Sequence, residues 1–293
     1  MNAFSRALED MSFRGPDAPG CVQAFNEYKL GHNRLTILDL SEAARQPFSL
    51  ECGRYSIVYN GELYNYRELA LKYKISMKTH SDTELLLSLF IIRGAQMLDE
   101  LNGMYAFVIF DKHNGSFFIA RDRLGIKPLF YFIENETLTV SSEIAPLVRL
   151  KSTLKFSEKG VKQYRKLRNY YNHETIYDGI KSFPAGHYSH NGDDFTCYWR
   201  LPESVLLPPS DEELDELIRS AVSCRLQADV PVGSYLSGGL DSSIIACLAH
   251  KVDTWTVGFP LENEFEWARL VVDEQSFSHT EVEVTLDDFL ETA

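Results

Sequence analysis

The heptapeptide SGGLDSS, residues 237–243, contains the residue types that a phosphate-binding loop needs. One apolar stretch ends at Leu236 and another begins at Ile244, which predicts a strand, a loop and a helix in that order. Backbone N–H groups of such a loop, together with the dipole of the following helix, bind anions. The residues that we expect to contact the anion through backbone N–H groups or hydroxyls are Ser237, Gly238, Gly239, Leu240, Ser242 and Ser243.

Asp241 is the unexpected residue of this loop, because a carboxylate repels a phosphate unless a cation lies between them. A Mg²⁺ ion bound by Asp241 and by phosphate oxygens would remove that conflict. The loop has neither the lysine of a Walker A motif nor the glycine spacing of a dinucleotide-binding fingerprint. The alternative is a plain glycine-serine turn with a serine at the helix N-cap. The complete pattern favours nucleotide binding.

The elements that position this loop form a predicted βαβ unit. A strand over Ser234–Leu236 and a helix over Ser242–Ala249 are followed by a strand over Thr254–Phe259. Strands joined by a helical crossover pair in parallel, so we expect a parallel sheet. Farther on, HTEVEVT would add a strand, and TLDDFLETA has the composition of the opening of a helix.

A helix with a capping box at Ser210 and Glu213 is predicted before this unit. Three prolines just before or at its start mark a linker: Pro202, Pro208 and Pro209. We therefore expect two domains, residues 1–204 and 205–293. The apolar residues of the helix fall on one face: Leu214, Leu217, Ile218, Ala221 and Val222.

The part of the chain before the linker predicts short strands, turns and a few helices. Residues 55–69 run from a strand through Asn60-Gly61 into a helix. A second helix begins with a capping box, Ser81 to Glu84, and ends at Gly94. Two strands with nearly continuous apolar stretches meet in a hairpin at Asn114-Gly115, as is typical of strands covered on both faces.

Composition narrows the class of protein. The 293 residues are 44% apolar and 12% aromatic, as in globular proteins with a real core. A formal charge of −13 disfavours a nucleic-acid backbone or an anionic membrane as the main partner. Five cysteines without paired spacing argue against a disulfide framework or a zinc site, and we expect no secretory signal. We expect a cytoplasmic protein.

Several motifs of the first part, taken with the SGGLDSS loop, resemble the glutamine-dependent asparagine synthetases. Their order along nearly the whole chain makes this resemblance specific. The motifs are RGPD (14–17), LGHNRLTILDLS (30–41), QPF (46–48), YNGELYNYREL (59–69), SDTE (81–84), NGMYAFVIFD (102–111), ARDRLGIKPLFY (120–131) and SSEI (141–144).

The resemblance implies an α+β domain followed by an α/β domain. The first would be an N-terminal-nucleophile (Ntn) hydrolase-like αββα sandwich that hydrolyses glutamine, and the second would be the start of an adenine-nucleotide α-hydrolase-like, PP-loop domain. Asn60 and Gly61 would form the oxyanion hole, although an Asn-Gly pair is also a common hairpin turn. Glutamine would be held by Arg34, Leu35, Thr36, Ile37, Leu38, Asn60, Gly61, Glu62 and Asp82.

Three of these residues have defined roles in the implied site. Arg34 would clamp the α-carboxylate of glutamine, while Glu62 and Asp82 would receive its α-ammonium. As isolated residues these two acids could equally be surface charges. We interpret Arg121 and Asp122 as scaffold.

The nucleophile is where this sequence departs from the family. Members begin Met-Cys-Gly and use the exposed cysteine, whereas this chain begins Met1-Asn2-Ala3. Cys21 lies inside the chain and has no free α-amino group, so we do not expect it to replace that nucleophile. We expect a chain that lacks family segments at both ends and does not itself hydrolyse glutamine.

For the second domain the resemblance implies that aspartate attacks ATP to form a β-aspartyl adenylate, from which ammonia displaces AMP. ATP and pyrophosphate would contact the SGGLDSS loop, with Leu236, Val257 and Gly258 beside it and Mg²⁺ on Asp241. Val257 could equally be ordinary sheet core. The partners would be glutamine, aspartate and ATP, with a homodimer as one assembly to consider.

Two alternatives stay open at this point. Relatives with the same two domains amidate surface-sugar carboxylates or close β-lactam rings, so the amide acceptor could differ. The chain could instead be a non-catalytic protein that binds glutamine and nucleotide.

Overall fold

The computed structural model describes residues 2–25, 28–203, 208–250 and 252–292. It separates into two compact units, Met1–Glu203 and Ser204–Ala293. The predicted boundary between residues 204 and 205 itself lies outside the described residues. Within the described ranges, no helix is both long enough and apolar enough to cross a membrane. All five cysteines have free thiols.

The first unit contains eleven named strands and five helices among its described residues. The strands are β1 (Ala18–Phe25), β2 (Tyr28–Arg34), β3 (Phe48–Ser49), β4 (Tyr55–Leu63), β5 (Gly103–Asp111), β6 (Ser116–Arg121), β7 (Phe130–Glu134), β8 (Thr137–Ser141), β9 (Lys181–Ser182), β10 (His187–His190) and β11 (Phe195–Cys197). The helices are α1 (Ala3–Glu9), α2 (Tyr66–Tyr73), α3 (Asp82–Arg93), α4 (Ile144–Leu150) and α5 (Glu158–Leu167).

These strands form three antiparallel sheets. A six-stranded sheet has the order β11-β10-β6-β5-β4-β3, a three-stranded sheet has the order β8-β7-β9, and β1 pairs with β2. The strands β4 and β5 pair along their whole length, from Tyr55 opposite Asp111 to Leu63 opposite Gly103. This long pairing fixes the register of every residue of β4.

The alternation of side chains along β5 builds a core on both faces of the six-stranded sheet. Tyr105 and Phe107 face a cluster that contains Leu85 and Leu86 of α3. Ala106 and Val108 face the other way, toward a cluster that includes residues of β7 and β8. A third cluster joins β7 to Leu147 of α4. The order helix, sheet, sheet, helix confirms the predicted αββα sandwich.

Local signals placed several elements of this sandwich correctly. The hairpin at Asn114-Gly115 is present, with Gly115 at φ +74°, and Gly94 ends α3 at φ +56°. The predicted capping box at Ser81 is not formed, although Ser81 is the N-cap of α3. Ser81 accepts a hydrogen bond from the N–H of Thr83, but the Glu84 carboxylate instead accepts from the N–H groups of Lys78 and Thr79. The N–H groups of the preceding loop therefore bind the Glu84 carboxylate, which in a capping box would accept a hydrogen bond from the N–H of Ser81.

The second unit contains α6 (Asp211–Ser223), β12 (Gly233–Tyr235), α7 (Leu240–Ala249), β13 (Asp253–Gly258), α8 (Phe265–Gln275), β14 (His279–Glu283) and α9 (Leu286–Thr292). Its three strands pair in parallel in the order β12-β13-β14, which confirms the predicted α/β architecture. The capping box at Ser210 and Glu213 is formed.

The apolar face of α6 is mostly exposed, which the pattern alone did not predict. Leu214 and Leu217 are 46% and 62% exposed, whereas Val222 is buried. Val222 packs against Ala249 and Val252. Among the described residues, only the last part of α6 is thus covered by the core of this unit.

Candidate functional site

A polar cavity of about 140 Å³ lies in the first unit, at the ends of several sandwich elements. Its walls come from β2, the segment after β2, the middle of β4 and the start of α3. The residues that line it are Arg14, His32, Asn33, Arg34, Leu35, Ile37, Leu38, Ala44, Gln46, Tyr59, Asn60, Gly61, Glu62, Ser81, Asp82, Thr83 and Lys127.

Asn60 and Gly61 lie inside β4 rather than in a turn. Asn60 pairs with Ala106 and Gly61 with Tyr105 of β5, so the hairpin interpretation of this Asn-Gly pair is wrong. A β-carbon on Gly61 would lie 2.3 Å from the carbonyl oxygen of Met104, which explains why only glycine fits this close approach. The strand therefore carries Asn60 to the cavity wall in a fixed orientation.

Two nitrogen atoms at this wall are buried without a hydrogen-bond partner in the described part of the chain: Nδ2 of Asn60 and Nδ1 of His32. Burial lowers the pKa of His32 to about 4, a hydrogen bond with the backbone of Tyr59 opposes the change, and the charge of Arg34 adds to it. His32 is consequently neutral at pH 7. Buried polar groups are normally paired, so an unpaired amide at a cavity wall is a candidate ligand contact.

Asp82, the first residue of α3, is buried, and one oxygen of its carboxylate is hydrogen-bonded to two residues of β4. Its Oδ2 accepts hydrogen bonds from the hydroxyl of Tyr59 and the N–H of Leu63, each at 2.9 Å. Burial raises the pKa of Asp82 to about 6, although these hydrogen bonds lower it. A cation brought into the cavity would stabilise the ionised carboxylate.

Glu62 lines the same cavity as Asp82, and its carboxylate makes no hydrogen bond to any described residue. Burial raises the pKa of Glu62 to about 8, the Asp82 carboxylate adds to the rise, and Lys127 opposes it. Two neighbouring carboxylates with raised pKa values form a site that an ammonium group would stabilise.

Arg34, the last residue of β2, is 9% exposed and lines the same cavity. Its Nη1 donates to the carbonyl oxygen of Ser41 at 2.7 Å, and its Nη2 donates to that of Asp39. These bonds fix the guanidinium plane. A guanidinium has five N–H donors, so donors are left over for an anion.

Most of the residues that follow Arg34 line the cavity, but one of them does not. Leu35, Ile37 and Leu38 line the cavity, whereas Thr36 does not. The N–H of Thr36 donates to Oδ2 of Asp17 at 2.6 Å, and this bond is the main reason that the pKa of Asp17 is lowered. Among the residues predicted for glutamine binding, Thr36 is thus the one that the structure places outside the cavity lining.

Arg121 and Asp122 hold the turn that carries Lys127. The buried Asp122 carboxylate accepts from the N–H groups of Ile126 and Lys127 at 2.8 and 3.0 Å. Nε of Arg121 donates to the carbonyl oxygen of Lys127 at 2.8 Å. These contacts agree with the scaffold role that the sequence suggested.

Some lining residues received no role from the sequence: Arg14, His32, Asn33, Gln46, Thr83 and Lys127. Each lies in one of the motifs quoted above, and that position was the available signal. Gln46 shows what such a residue does: its Oε1 accepts from the N–H of Tyr59 at 2.6 Å and its Nε2 donates to Oγ1 of Thr83 at 3.4 Å. It thereby ties β4 to α3.

Within the described residues, the cavity lining contains no cysteine. Cys21 lies in β1 and is not part of the lining. The cavity thus combines a fixed guanidinium, two carboxylates and an unpaired amide. That set is complementary to a zwitterion that also carries a carbonyl group.

In the second unit, the predicted phosphate loop joins β12 to α7. Gly239 is the N-cap of α7, and Gly238 has φ +77°, which favours glycine. A β-carbon at Gly238 would lie 2.4 Å from the backbone of Trp267, whereas one at Gly239 would contact only Oγ of Ser237, at 3.3 Å. Gly238 therefore serves packing, and Gly239 faces open space.

The serine hydroxyls of this loop form hydrogen bonds with other atoms of the same loop. Oγ of Ser237 lies 3.0 Å from Oγ of Ser242, and the hydroxyls of Ser242 and Ser243 donate to the carbonyl oxygen of Gly239 at 3.1 and 2.7 Å. A bound phosphate would have to take these donors from that carbonyl. The first N–H groups of α7 have no intrahelical acceptor and so suit an anion directly.

The flanking residues of the predicted nucleotide site differ in exposure. Leu236 is 1% exposed and packs against Ala246 and Ala268, so only its backbone could contact a ligand. Val257 is 51% exposed on β13, next to Gly258 at the strand end. Val257 is consequently not covered core within the described residues.

Comparison with known proteins agrees with both units. Residues 1–199 match the sequence family described as "Glutamine amidotransferase domain", and residues 213–293 match "Asparagine synthase". A putative glutamine-hydrolysing asparagine synthetase 2 from Methanocaldococcus jannaschii is 33% identical, over 93% of this chain and 59% of its own length. Asparagine synthetase B of Escherichia coli is 31% identical, over 96% of this chain and 50% of its own length.

A differently named relative is the amidase chry2 of Gibberella zeae, 36% identical over 82% of this chain and 37% of its own length. A solved structure of the allosteric regulatory enzyme of purine biosynthesis superposes with a TM-score of 0.49 at 15% identity, over 86% of this chain and 61% of that one. The chain spans about half the length of the curated relatives it matches. It belongs to the family of glutamine-hydrolysing asparagine synthetases, in which a glutamine amidotransferase domain precedes an asparagine synthase domain.

Proposed function

We propose that the cavity of the first unit binds glutamine, and that the protein to which this chain belongs transfers the amide nitrogen of glutamine to aspartate at the expense of ATP. The observation that carries the proposal is the arrangement of charge in one cavity. Arg34, Glu62 and Asp82 line the same cavity. The free amide of Asn60 lies in the same wall.

Each part of glutamine has a complementary group in this arrangement. The α-carboxylate would bind the remaining donors of Arg34, and the α-ammonium would bind Glu62 and Asp82. The side-chain carbonyl oxygen would accept from Nδ2 of Asn60 and the N–H of Gly61. The same two donors would stabilise the oxyanion that forms when the carbonyl carbon is attacked.

The described lining residues supply no cysteine, so we propose that the 293-residue chain alone binds glutamine without hydrolysing it. In the whole protein a thiol nucleophile, as in the family, would release ammonia and form an acyl-enzyme that water then hydrolyses to glutamate.

For the second unit we propose that the loop 237–243 binds the phosphates of ATP at the N-terminus of α7. The carboxylate of aspartate would attack the α-phosphorus, pyrophosphate would leave, and ammonia would displace AMP to give asparagine. The N–H groups of α7 would stabilise the charge on the leaving pyrophosphate.

Only one residue of this loop, Asp241, is proposed to hold Mg²⁺. Among the described residues, no group of three or more His, Cys, Asp or Glu side chains could hold a metal ion. Mg²⁺ usually binds one or two carboxylates together with substrate phosphates and water, so Asp241 alone could anchor it. When bound, it would neutralise phosphate charge.

The proposal is tested first by binding, using isothermal titration of the 293-residue chain with L-glutamine. We expect saturable binding of L-glutamine, and weaker binding of D-glutamine because its ammonium and carboxylate cannot reach both sets of groups. Asp82→Asn should weaken binding at least tenfold, since hydrogen bonds to charged groups contribute roughly 1.5–3 kcal/mol. Asp215→Asn, in an exposed pair with Arg219, is the matched control.

Absence of any heat of binding and of any change in melting temperature at millimolar L-glutamine would reject the proposal, because a ligand that binds only the native state must stabilise it. Amide transfer is tested separately on the whole protein, by asparagine and pyrophosphate formation from aspartate, ATP and glutamine. Formation of pyrophosphate with another carboxylate, and none with aspartate, would replace aspartate as the acceptor.

A further inference from the structure

We propose that Asp39 is a positioning residue that fixes the orientation of the Arg34 guanidinium and so sets how strongly the cavity binds the α-carboxylate of an amino acid. This inference rests on the proposed binding of glutamine in the same cavity. The residues of this segment that were predicted to hold glutamine end at Leu38, and Asp39 received no role from its motif. Asp39 is not one of the described residues that line the cavity, so it would act through Arg34 and not on the ligand.

The first step is the backbone conformation of Asp39. Its φ of +52° lies in the left-handed region, which aspartate and asparagine tolerate better than most residues other than glycine. The residue is 7% exposed. In this conformation its carbonyl oxygen accepts a hydrogen bond from Nη2 of Arg34. A backbone conformation that most side chains disfavour thus accompanies a direct contact with the guanidinium.

The second step is the turn from Asp39 to Ser41, which the Asp39 carboxylate stabilises. Oδ1 of Asp39 accepts from the N–H and from the hydroxyl of Ser41, at 3.0 and 2.5 Å. A side-chain oxygen that binds the N–H two residues farther on is the hydrogen bond of an Asx turn. The carbonyl oxygen of Ser41 accepts from Nη1 of Arg34 at 2.7 Å. Both carbonyl groups that hold the guanidinium therefore belong to one turn, and the Asp39 side chain fixes the shape of that turn.

The third step is a contact between this turn and the segment before α3. Oδ2 of Asp39 accepts from the N–H of His80 at 2.8 Å. His80 lies two residues before Asp82, which lines the cavity. The two oxygens of one carboxylate thus join the turn that holds Arg34 to the segment that leads into Asp82. This contact limits how far the cation and the acid of the cavity can move relative to each other.

The Asp39 carboxylate is ionised at neutral pH. Burial raises its pKa, but hydrogen bonds from Ser41 and His80 and the charge of Arg34 outweigh burial and lower the pKa below its usual value. Hydrogen bonds to an ionised carboxylate are stronger than those to a neutral acceptor, so the turn is firmly held. A guanidinium that is already oriented loses less side-chain entropy when it binds a ligand carboxylate.

The experiment measures two dissociation constants by NMR titration of the 293-residue chain, one for L-glutamine and one for 4-aminobutanamide, which is glutamine without its α-carboxylate. In Asp39→Ala we expect roughly threefold to tenfold weaker binding of L-glutamine, because Arg34 must then be ordered when the ligand binds. The dissociation constant of 4-aminobutanamide should stay close to its value in the unaltered chain, since this ligand has no group for Arg34.

Two further variants separate the backbone of Asp39 from its side chain. Asp39→Asn tolerates the left-handed conformation and keeps an acceptor for Ser41, so it should restore most of the affinity for L-glutamine. Asp39→Gly suits the left-handed backbone but has no carboxylate, and it should bind L-glutamine as weakly as Asp39→Ala does. Asp39→Gly also replaces Asp39→Ala in every measurement if the alanine variant does not fold.

Asn114→Ala is the matched control, because Asn114 stabilises the same kind of turn in the hairpin between β5 and β6. Its Oδ1 accepts from the N–H and from the hydroxyl of Ser116, at 3.0 and 2.7 Å, and it lies outside the described cavity lining. This variant should leave both dissociation constants unchanged. Equal losses of affinity for both ligands in Asp39→Ala would show a general structural effect and overturn the inference.

A second readout needs no ligand: nitrogen-15 NMR of the Arg34 guanidinium, with Arg34→Lys to assign its signals. In the unaltered chain the protons on Nη1 and Nη2 should give separate signals, because two fixed carbonyl groups hinder rotation, and Asp39→Ala should average them. Separate signals that persist in Asp39→Ala would overturn the inference. If the unaltered chain binds no glutamine, the proposed function fails, whereas glutamine binding with an unaffected guanidinium in Asp39→Ala rejects the role of Asp39 alone.

Discussion

The hydroxyl of Tyr59 donates a hydrogen bond to Oδ2 of Asp82 at 2.9 Å and so joins the central strand β4 to the start of helix α3. Both partners are buried. The contact places the strand that carries Asn60 and the helix that carries Asp82 in one fixed geometry. Burial raises the pKa of Tyr59 well above its usual range, so this hydroxyl remains a donor at every relevant pH.

Tyr59→Phe should destabilise the first unit and weaken glutamine binding most strongly below pH 7. Loss of a buried hydrogen bond to a charged group costs about 1.5–3 kcal/mol. Without this donor the pKa of Asp82 rises above about 6, so binding should recover as pH is raised to 8. Hydrogen exchange and glutamine titration at pH 6.5 and 8 measure the two effects.

The matched control is Tyr73→Phe, which removes a hydroxyl bonded to Glu100 away from the cavity. It should lower stability without a pH-dependent loss of binding. Equal effects of both substitutions on glutamine binding would contradict the role given to Tyr59.

Glu62→Gln should stabilise the ligand-free protein at pH 8.5 while abolishing its response to glutamine. The folded-state pKa of Glu62, about 8, lies above its ordinary value of 4.5, so between these values the folded state holds more protons than the unfolded state. The free energy of unfolding therefore falls as pH rises through this window. At about 1.4 kcal/mol per pKa unit, removal of the titrating group should restore at most about 5 kcal/mol at pH 8.5.

This gain is measured by hydrogen exchange of the β4 and β5 amides from pH 5 to 8.5. At pH 5, close to the ordinary pKa of 4.5, the variant and the original chain should differ little, because the folded and unfolded states then bind similar numbers of protons. A stability difference that does not grow with pH would show that burial does not hold Glu62 in its neutral form.

Gly61→Ala should destabilise β4, because the new methyl group would meet the carbonyl oxygen of Met104 at 2.3 Å. Backbone atoms of a paired strand cannot move aside cheaply, so we expect a loss of about 3 kcal/mol. Gly53→Ala is the control: its φ of +66° is unfavourable for alanine, but no atom lies within 4 Å. That change should cost only about 1 kcal/mol. Equal melting temperatures of the two variants would contradict the close approach.

Substitution of the two glycines of the loop 237–243 by alanine should affect different properties, namely stability at Gly238 and Mg-ATP binding at Gly239. Gly238→Ala would place a methyl group 2.4 Å from the backbone of Trp267 at φ +77°, so the second unit should lose stability. Gly239→Ala meets only Oγ of Ser237, at 3.3 Å, and should fold normally. Its methyl group would nevertheless occupy the space proposed for phosphate, and Mg-ATP binding should weaken at least tenfold.

Circular dichroism and Mg-ATP titration of both variants decide this prediction. Normal ATP binding by Gly239→Ala would mean that the phosphate does not approach the loop at that residue.

The sequence alone indicated the family and about half of the residues that line the cavity proposed to bind glutamine, but two local interpretations were ambiguous or wrong. The Asn60-Gly61 pair has the composition of a hairpin turn, and only its pairing with β5 shows that it lies within a strand. Glu84 has the spacing of a capping box, yet it binds the backbone of Lys78 and Thr79. In both cases a contact between neighbouring parts of the fold outweighed a local preference.

What the sequence determined by itself is the type and order of several elements, including the βαβ unit and its glycine loop. Apolar periodicity, capping residues and glycine positions act over a few residues, and each is legible without the fold. What only the tertiary structure decided is which charges share a cavity. Glu62, Asp82 and Lys127 come from a strand, a helix and a turn, and packing of the sandwich brings them to one wall. Burial and mutual charge there set their pKa values, because both depend on distance in space and not on separation along the chain.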